Sequence, residues 1–151
     1  MSKIVEIAVA EIGQTEVPKN SNNTKYNKWA NLPNLPWCGM FVSWVYFMRG
    51  KPLPKIGFSF FGFAGCQTAV AYFKKNNRIT KEPNPGDIVF FDWNGDGRYD
   101  HTGIFVMWLE KGKTFHSVEG NTAIGNDSNG GEVMLRKRTN HNVLFVKVFD
   151  N

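Results

Sequence analysis

Cys38 is the residue of this chain whose type and position best suit nucleophilic catalysis. It lies near the start of the apolar run LPWCGMFVSWVYFMRG, residues 35–50, which predicts a buried helix that opens near Pro36 and stops at Gly50. A cysteine in the first turn of a helix meets unpaired backbone amides and the positive end of the helix dipole, and both favour a thiolate. The alternative is a free cysteine that packs in the core as a small hydrophobe.

A cysteine nucleophile needs a base, and the base needs a partner that orients it. The chain has three histidines. His141 falls in a polar turn, and His116 lies inside a strand pattern on the face opposite Glu119. His101 begins a predicted strand directly after an acidic turn, so it can face the start of the Cys38 helix if the sheet packs there. Glu119 and Asn121 lie two apart in the next strand and share a face, and either could accept a hydrogen bond from the imidazole.

The elements that must position these residues form two blocks. Helical spacing of apolar residues predicts further helices at 2–12, 24–30 and 66–76, with Val5, Ala8, Val9 and Ile12 on the buried face of the first. After Pro83 the pattern changes to five short strand-like runs, PGDIVFFDW, HTGIFVMWL, KTFHSVEG, EVMLRKR and NVLFVKVF. Helices first and strands afterwards predict an α+β domain with N-terminal helices packed on a C-terminal antiparallel sheet.

Two features near these elements have more than one interpretation. The segment KPLPKIGFSFFGFAG, residues 51–65, is irregular and aromatic, and it either walls a cleft or folds over the core. Cys66, at the start of the third predicted helix, is interpreted as a core residue in preference to a second reactive thiol.

The acidic turn DWNGDGRYDH resembles a calcium-binding loop in its spacing. The candidate calcium-loop positions are Asp92, Asn94, Asp96, Arg98 and Asp100. Gly103 stands where the bidentate glutamate of such a loop belongs, so a site here would be weaker or would be completed from elsewhere. The alternative is a hairpin turn, which needs the same Asn-Gly and Asp-Gly pairs for their positive φ angles. Both interpretations stay open.

Composition limits the function classes. The 151 residues fit one domain, 1–151, and the two cysteines exclude a cysteine-rich metal knuckle. The net charge of +5 favours an anionic partner, but the basic residues are scattered apart from RKR at 136–138, so we expect no nucleic-acid groove. The N-terminus lacks the uninterrupted apolar run of a signal peptide, and no run is long enough to span a bilayer. We therefore expect synthesis in the cytosol and no membrane partner.

Three stretches together resemble one family. PWCGMFVSWV, PGDIVFFDWNGDGRYDHTGIFV and VEGN, in this order and at this separation, are similar to the CHAP family of cysteine- and histidine-dependent amidohydrolases and peptidases, found in bacterial wall hydrolases and phage endolysins. With GQTEVPKNSNNTKYNKW included, the resemblance runs from Gly13 to about Asn121. It implies a papain-like α+β fold, which agrees with the order of elements.

The resemblance also implies roles and a substrate. Cys38 would be the nucleophile, His101 the base, Glu119 the orienting acid and Asn121 a polar supporting residue. The substrate class would be bacterial peptidoglycan, cleaved at the glycan–peptide amide or within the peptide. This chemistry requires no cofactor, although some family members bind calcium. Action on the wall would follow release or delivery from the cytosol, with a separate wall-targeting domain or subunit as a possible partner.

Papain-like enzymes place a glutamine before the cysteine as an oxyanion donor, whereas this chain has Asn31 and Asn34 there.

Two other functions also fit parts of the sequence. An NlpC-type peptidase or a transglutaminase-like acyl transferase would use the same nucleophile, and a non-catalytic basic wall-binding module would not need it.

Overall fold

The computed structural model describes residues 2–127 and 129–150. Four helices precede the sheet: α1 (Lys3–Ala10), α2 (Lys25–Ala30), α3 (Cys38–Met48) and α4 (Cys66–Lys75). Six strands follow: β1 (Ile79–Thr80), β2 (Ile88–Phe91), β3 (His101–Glu110), β4 (Thr114–Thr122), β5 (Glu132–Thr139) and β6 (Val143–Val146). This order confirms the predicted α+β, papain-like arrangement of N-terminal helices and a C-terminal antiparallel sheet.

Local sequence signals account for where the helices begin. The Ser2 hydroxyl caps α1 by accepting from the Val5 amide, and Thr24 caps α2 in a reciprocal capping box with Asn27. Helix α3 begins at Cys38 and not near Pro36 as predicted, with Trp37 as its N-cap. The predicted place of Cys38 in the first turn of a helix is confirmed.

All six strands pair antiparallel in the order β1-β6-β2-β3-β4-β5. The two-residue β1 was not predicted, because so short a run leaves no apolar alternation to detect. The central strands β3 and β4 support the Cys38 helix, since α3 packs against both. The first residue of β3 and the second half of β4 consequently lie close to the start of that helix.

Both faces of the sheet are covered. Alternate residues of β2 divide between two clusters: Ile88 and Phe90 belong to the core shared with the helices, while Val89 and Phe91 belong to a second, aromatic cluster. The aromatic cluster also contains Phe105, and Trp93 packs at its edge. A strand buried on both faces explains why the predicted run was continuously apolar.

One sequence prediction about burial is wrong in part. Val5 and Ala8 are buried in α1, but Val9 is exposed because the packed face includes Ile4 and Ile7 instead, and Ile12 is exposed beyond the helix end at Ala10. The 51–65 segment is irregular as predicted. It is also mixed in burial, since Leu53 and Phe63 are buried while Phe58 is partly exposed.

Candidate active site

Cys38 sits at a helix start whose amides have no side-chain cap. The N-cap residue Trp37 cannot cap them, because its indole N–H is only a donor, and it donates to the buried Glu16 carboxylate at 2.9 Å. The amides of the first turn therefore remain available to a negative charge at this end of α3. Cys38 itself is only 5% exposed.

Two glycines allow the surrounding segments to approach this turn. A Cβ at Gly39 would lie 2.9 Å from the Phe63 carbonyl, and one at Gly120 would lie 2.7 Å from the Trp37 ring. Real Cβ atoms do not come so close, so both positions require glycine for close packing. The chain before α4 and the strand β4 are thereby brought against the first turn of the nucleophile helix.

The imidazole of His101 is buried and held on several sides. Its Nε2 lies 2.9 Å from Glu119 Oε1, and both side chains are fully buried. Its ring stacks on Trp93 with centroids 5.3 Å apart and an interplanar angle of 25°. Nε2 is engaged by Glu119, whereas Nδ1 is buried and makes no hydrogen bond to the described residues. Nδ1 is therefore the nitrogen left to face the Cys38 sulfur, whose charge acts on the ring. Glu119 is placed to orient His101, and its role in catalysis stays a prediction.

The electrostatics favour an ion pair between sulfur and imidazole. Hydrogen bonding from the Cys66 thiol is the main cause that holds the pKa of Cys38 well below its usual value, and His101 and the Gly39 amide act in the same direction against burial. Burial lowers the pKa of His101, but interactions with Cys38 and Glu119 outweigh it and raise that pKa to about 9. At neutral pH the site therefore holds a thiolate beside an imidazolium.

The comparison with known families agrees with this chemistry. Residues 29–121, well over half of the chain, match the family model described as the CHAP domain. The chain belongs to the CHAP family. Members of this family are in general cysteine- and histidine-dependent amidohydrolases or peptidases. No curated protein matches the sequence.

The second cysteine of this CHAP domain belongs to the site. Cys66 is buried, as predicted for a core residue, but its thiol also acts on the pKa of Cys38. Hydrogen bonding with Cys38 and burial raise the pKa of Cys66, whereas the pKa of Cys38 is lowered, so Cys66 is the thiol that keeps its proton. Both are free thiols. The sequence indicated a helix that begins at Cys66, but it did not indicate that the first residues of α3 and α4 lie next to each other.

Asn121 lies in a β-bulge and not in regular strand alternation. The β4–β5 register shifts between Glu119 and Thr122, and Asn121 has a φ of 58°. Its side-chain amide donates to Asn129 Oδ1 at 3.2 Å, and its carbonyl accepts from the Gly130 amide. Regular alternation therefore does not hold between Glu119 and Asn121, and it cannot place their side chains on one face. Its supporting role in catalysis stays a prediction.

The acidic turn is organised by its own hydrogen bonds. Asp92 Oδ2 accepts from the Gly97 amide at 2.8 Å, and Asp96 accepts from the Arg98 amide and the Asn94 side chain. Asp100 is exposed. Within residues 2–127 and 129–150, no three His, Cys, Asp or Glu side chains are grouped so that they could hold a metal ion. As arranged, these residues fit a hairpin turn, and calcium binding stays a prediction from the spacing.

The two asparagines considered as oxyanion donors have structural roles. Asn31 ends α2 in the left-handed conformation, with a φ of 59°. Asn34 exchanges two hydrogen bonds with Asn23, through its amide nitrogen at 2.8 Å and its side chain at 2.6 Å. The backbone amides at the start of α3 are the donors that the structure offers to an oxyanion.

The other two histidines lie apart from the site, as predicted. His141 is exposed in the turn before β6, and His116 pairs with Met107 and Lys137 in the sheet. In the part of the chain that the structure describes, no helix is long and apolar enough to cross a bilayer.

Sequence reasoning also missed the contact of Arg138 with Glu119. Arg138, which was noted only as part of the RKR cluster, binds the Glu119 carboxylate. The signal that could have found it is its place on the strand beside β4, but the β4–β5 register cannot be deduced without knowing the bulge.

Proposed function

We propose that this CHAP domain hydrolyses an amide bond of bacterial peptidoglycan through an acyl-enzyme on Cys38. The observation that supports the proposal is the buried pairing of Cys38 with His101, whose other nitrogen is fixed by Glu119 at 2.9 Å. A structural core cysteine needs neither a protonated imidazole nor a carboxylate behind it. The net charge of +5 suits attraction to the anionic polymers of a bacterial wall.

The proposed reaction has two halves. The Cys38 thiolate attacks the amide carbonyl, and the first-turn amides of α3 stabilise the resulting oxyanion. The imidazolium of His101 gives its proton to the departing nitrogen, the carbon–nitrogen bond breaks, and an amine leaves. A water molecule then attacks the thioester while His101 takes its proton, which releases the carboxylic acid and restores the thiolate and imidazolium. Glu119 balances the charge of His101 whenever the imidazole is protonated, before the first half and after the second.

Two scissile bonds are consistent with this chemistry. One joins N-acetylmuramic acid to the first residue of the stem peptide, and the other lies within the stem peptide or its cross-bridge. The setting we propose is that of an endolysin, made in the cytosol and acting on the wall after release or delivery, with wall targeting supplied by a separate domain or subunit.

Mass spectrometry of fragments released from purified peptidoglycan tests the proposal, because each cleavage leaves a different new terminus. The wild type should release fragments that carry a free amine, and it should do so without an added acceptor amine. Cys38→Ala and His101→Ala should abolish release, while His141→Ala, a matched control at an exposed turn, should release fragments at the wild-type rate. Undiminished cleavage by Cys38→Ala would refute the mechanism. Product formation only when an acceptor amine is added would assign an acyl transferase instead.

A further inference from the structure

Arg138 holds the Glu119 carboxylate with a two-pronged contact. Its Nε donates to Oε2 at 2.9 Å and its Nη2 donates to Oε1 at 2.6 Å. Such a planar fork fixes both the position and the rotation of a carboxylate. The arginine side chain is only 10% exposed and Glu119 is fully buried, so water screens this pair little.

Arg138 is itself fixed from two further directions. Its guanidinium lies over the rings of Trp93 and Phe91, at 5.0 and 5.5 Å from their centroids, and both rings also contact His101. Its Nη1 donates to Asp127 at 3.0 Å. The arginine and the histidine are thus packed against the same aromatic pair. Movement of the guanidinium would disturb the group that orients the imidazole.

We propose that Arg138 is a positioning residue for the Cys38–His101 pair, acting through Glu119. The inference rests on the cysteine–histidine mechanism proposed above. Glu119 Oε1 accepts from both His101 and Arg138, and Oε2 accepts from Arg138 and the Ser117 hydroxyl, so every hydrogen bond of the carboxylate is made inside the protein. Without Arg138 the carboxylate would lose two of these bonds and one of the two cations that keep it charged.

The charged groups around Glu119 come from several elements. His101 faces it from β3 and Arg138 from β5, while Asp127 lies behind Arg138 in the loop before β5. Cys38 of α3 faces the other side of the imidazole, with the Cys66 thiol beside it.

Burial raises the pKa of Glu119, but hydrogen bonds from Arg138 and His101 outweigh it and lower that pKa to about 2. Loss of Arg138 should therefore let Glu119 take up a proton at a higher pH. As pH falls, the charge of Glu119 that stabilises the imidazolium, and through it the thiolate, would then be lost at a higher pH than in the wild type.

The test follows the Cys38 thiolate directly and needs no substrate. The rate of iodoacetamide alkylation at Cys38 is measured against pH, with peptide mass spectrometry to distinguish Cys38 from Cys66. Arg138→Met should shift the alkylation profile to higher pH, and Arg138→Lys, which keeps the charge but loses the fork, should fall between it and the wild type. With peptidoglycan as substrate, Arg138→Met should lower kcat by about 10- to 100-fold, the usual effect of an outer partner that orients a functional side chain, and leave KM within about twofold.

Arg136 provides a matched control. It is 12% exposed and contacts the same Asp127 oxygen at 2.7 Å, but it bonds to Thr122 and not to Glu119. Arg136→Met removes the same charge from the same strand and should keep the wild-type alkylation profile.

Three results would overturn the proposal. The first is a wild-type alkylation profile in folded Arg138→Met, and the second is the same shift in Arg136→Met. The third applies if circular dichroism shows that Arg138→Met does not fold. In that case Arg138→Lys is the test, and a wild-type alkylation profile in Arg138→Lys would overturn the proposal. Failure of the wild type to cleave peptidoglycan would instead refute the proposed function, because the alkylation profile does not depend on the substrate.

Discussion

Replacing Cys38 with alanine should lower the pKa of His101. In the native protein this pKa is raised from 6.5 to about 9, although burial acts in the opposite direction. A difference of about 2.5 pH units corresponds to roughly 3 kcal/mol of preference for the charged ring. Only Cys38 and Glu119 raise it. An opposite charge in contact typically changes a pKa by about 1–3 units, so removal of the sulfur should lower that of His101 by about one unit or more.

Nuclear magnetic resonance of the histidine rings measures this directly. The chain has three histidines, and His116 and His141 provide reference signals away from the site. The His101 ring is titrated in the wild type and in Cys38→Ala, with folding checked by the dispersion of the amide spectrum. If His101 still titrates near pH 9 without the sulfur, Glu119 alone accounts for the raised pKa. The inference that the resting site holds a thiolate–imidazolium pair would then be wrong.

Four further measurements test the same network. Cys66→Ala should raise the pKa of Cys38 and slow its alkylation at pH 6, since the main hydrogen bond to the thiolate is lost. As pH falls below 4.5, the free energy of unfolding should decrease by roughly 3 kcal/mol, because Glu119 takes up a proton in the unfolded chain before it does so in the folded protein, where its pKa is about 2. Urea titrations from pH 5 to 2 measure this decrease, and its absence would show that the carboxylate is unpaired. Between about pH 6.5 and 8.5 the Cys38–His101 pair should change the free energy of unfolding little with pH. The raised pKa of His101 makes its contribution to stability fall as pH rises, and the lowered pKa of Cys38 makes its contribution rise. The two effects cancel because the folded ion pair and the unfolded neutral pair each bind one proton. Calcium binding at the Asp92 loop should raise Tm at millimolar calcium, and an unchanged Tm would end that prediction.

The sequence was sufficient for the residues whose local setting reveals their role. Cys38 could be placed at a helix start because an apolar run follows it, and His101 at a strand start because an acidic turn precedes it. The next strand offered Glu119 and Asn121 as partners of His101, and the resemblance to the CHAP family assigned the orienting role to Glu119. These signals are local, since helix ends and strand alternation depend on neighbours a few residues away.

The remaining parts of the site depend on contacts between distant segments. The contact of Cys66 with Cys38 depends on how the segment before α4 packs against α3. The contact of Arg138 with Glu119 depends on the β4–β5 register, which a bulge at Asn121 changes. Register and helix docking are properties of the whole fold, and alternation within one strand does not predict them. The same bulge interrupts the regular alternation on which the placement of Asn121 beside Glu119 relied.

The members of the site are also widely separated along the chain, from Cys38 in α3 to Arg138 in β5. A ribosome makes the chain from its N-terminus, so the sulfur emerges long before the imidazole, the glutamate and the guanidinium that prime it. A partly synthesised or truncated chain that ends before β3 therefore exposes an ordinary thiol, with a pKa near 8.5. On the proposed mechanism, a chain that ends before β3 cannot cleave an amide bond, because it lacks both His101 and Glu119.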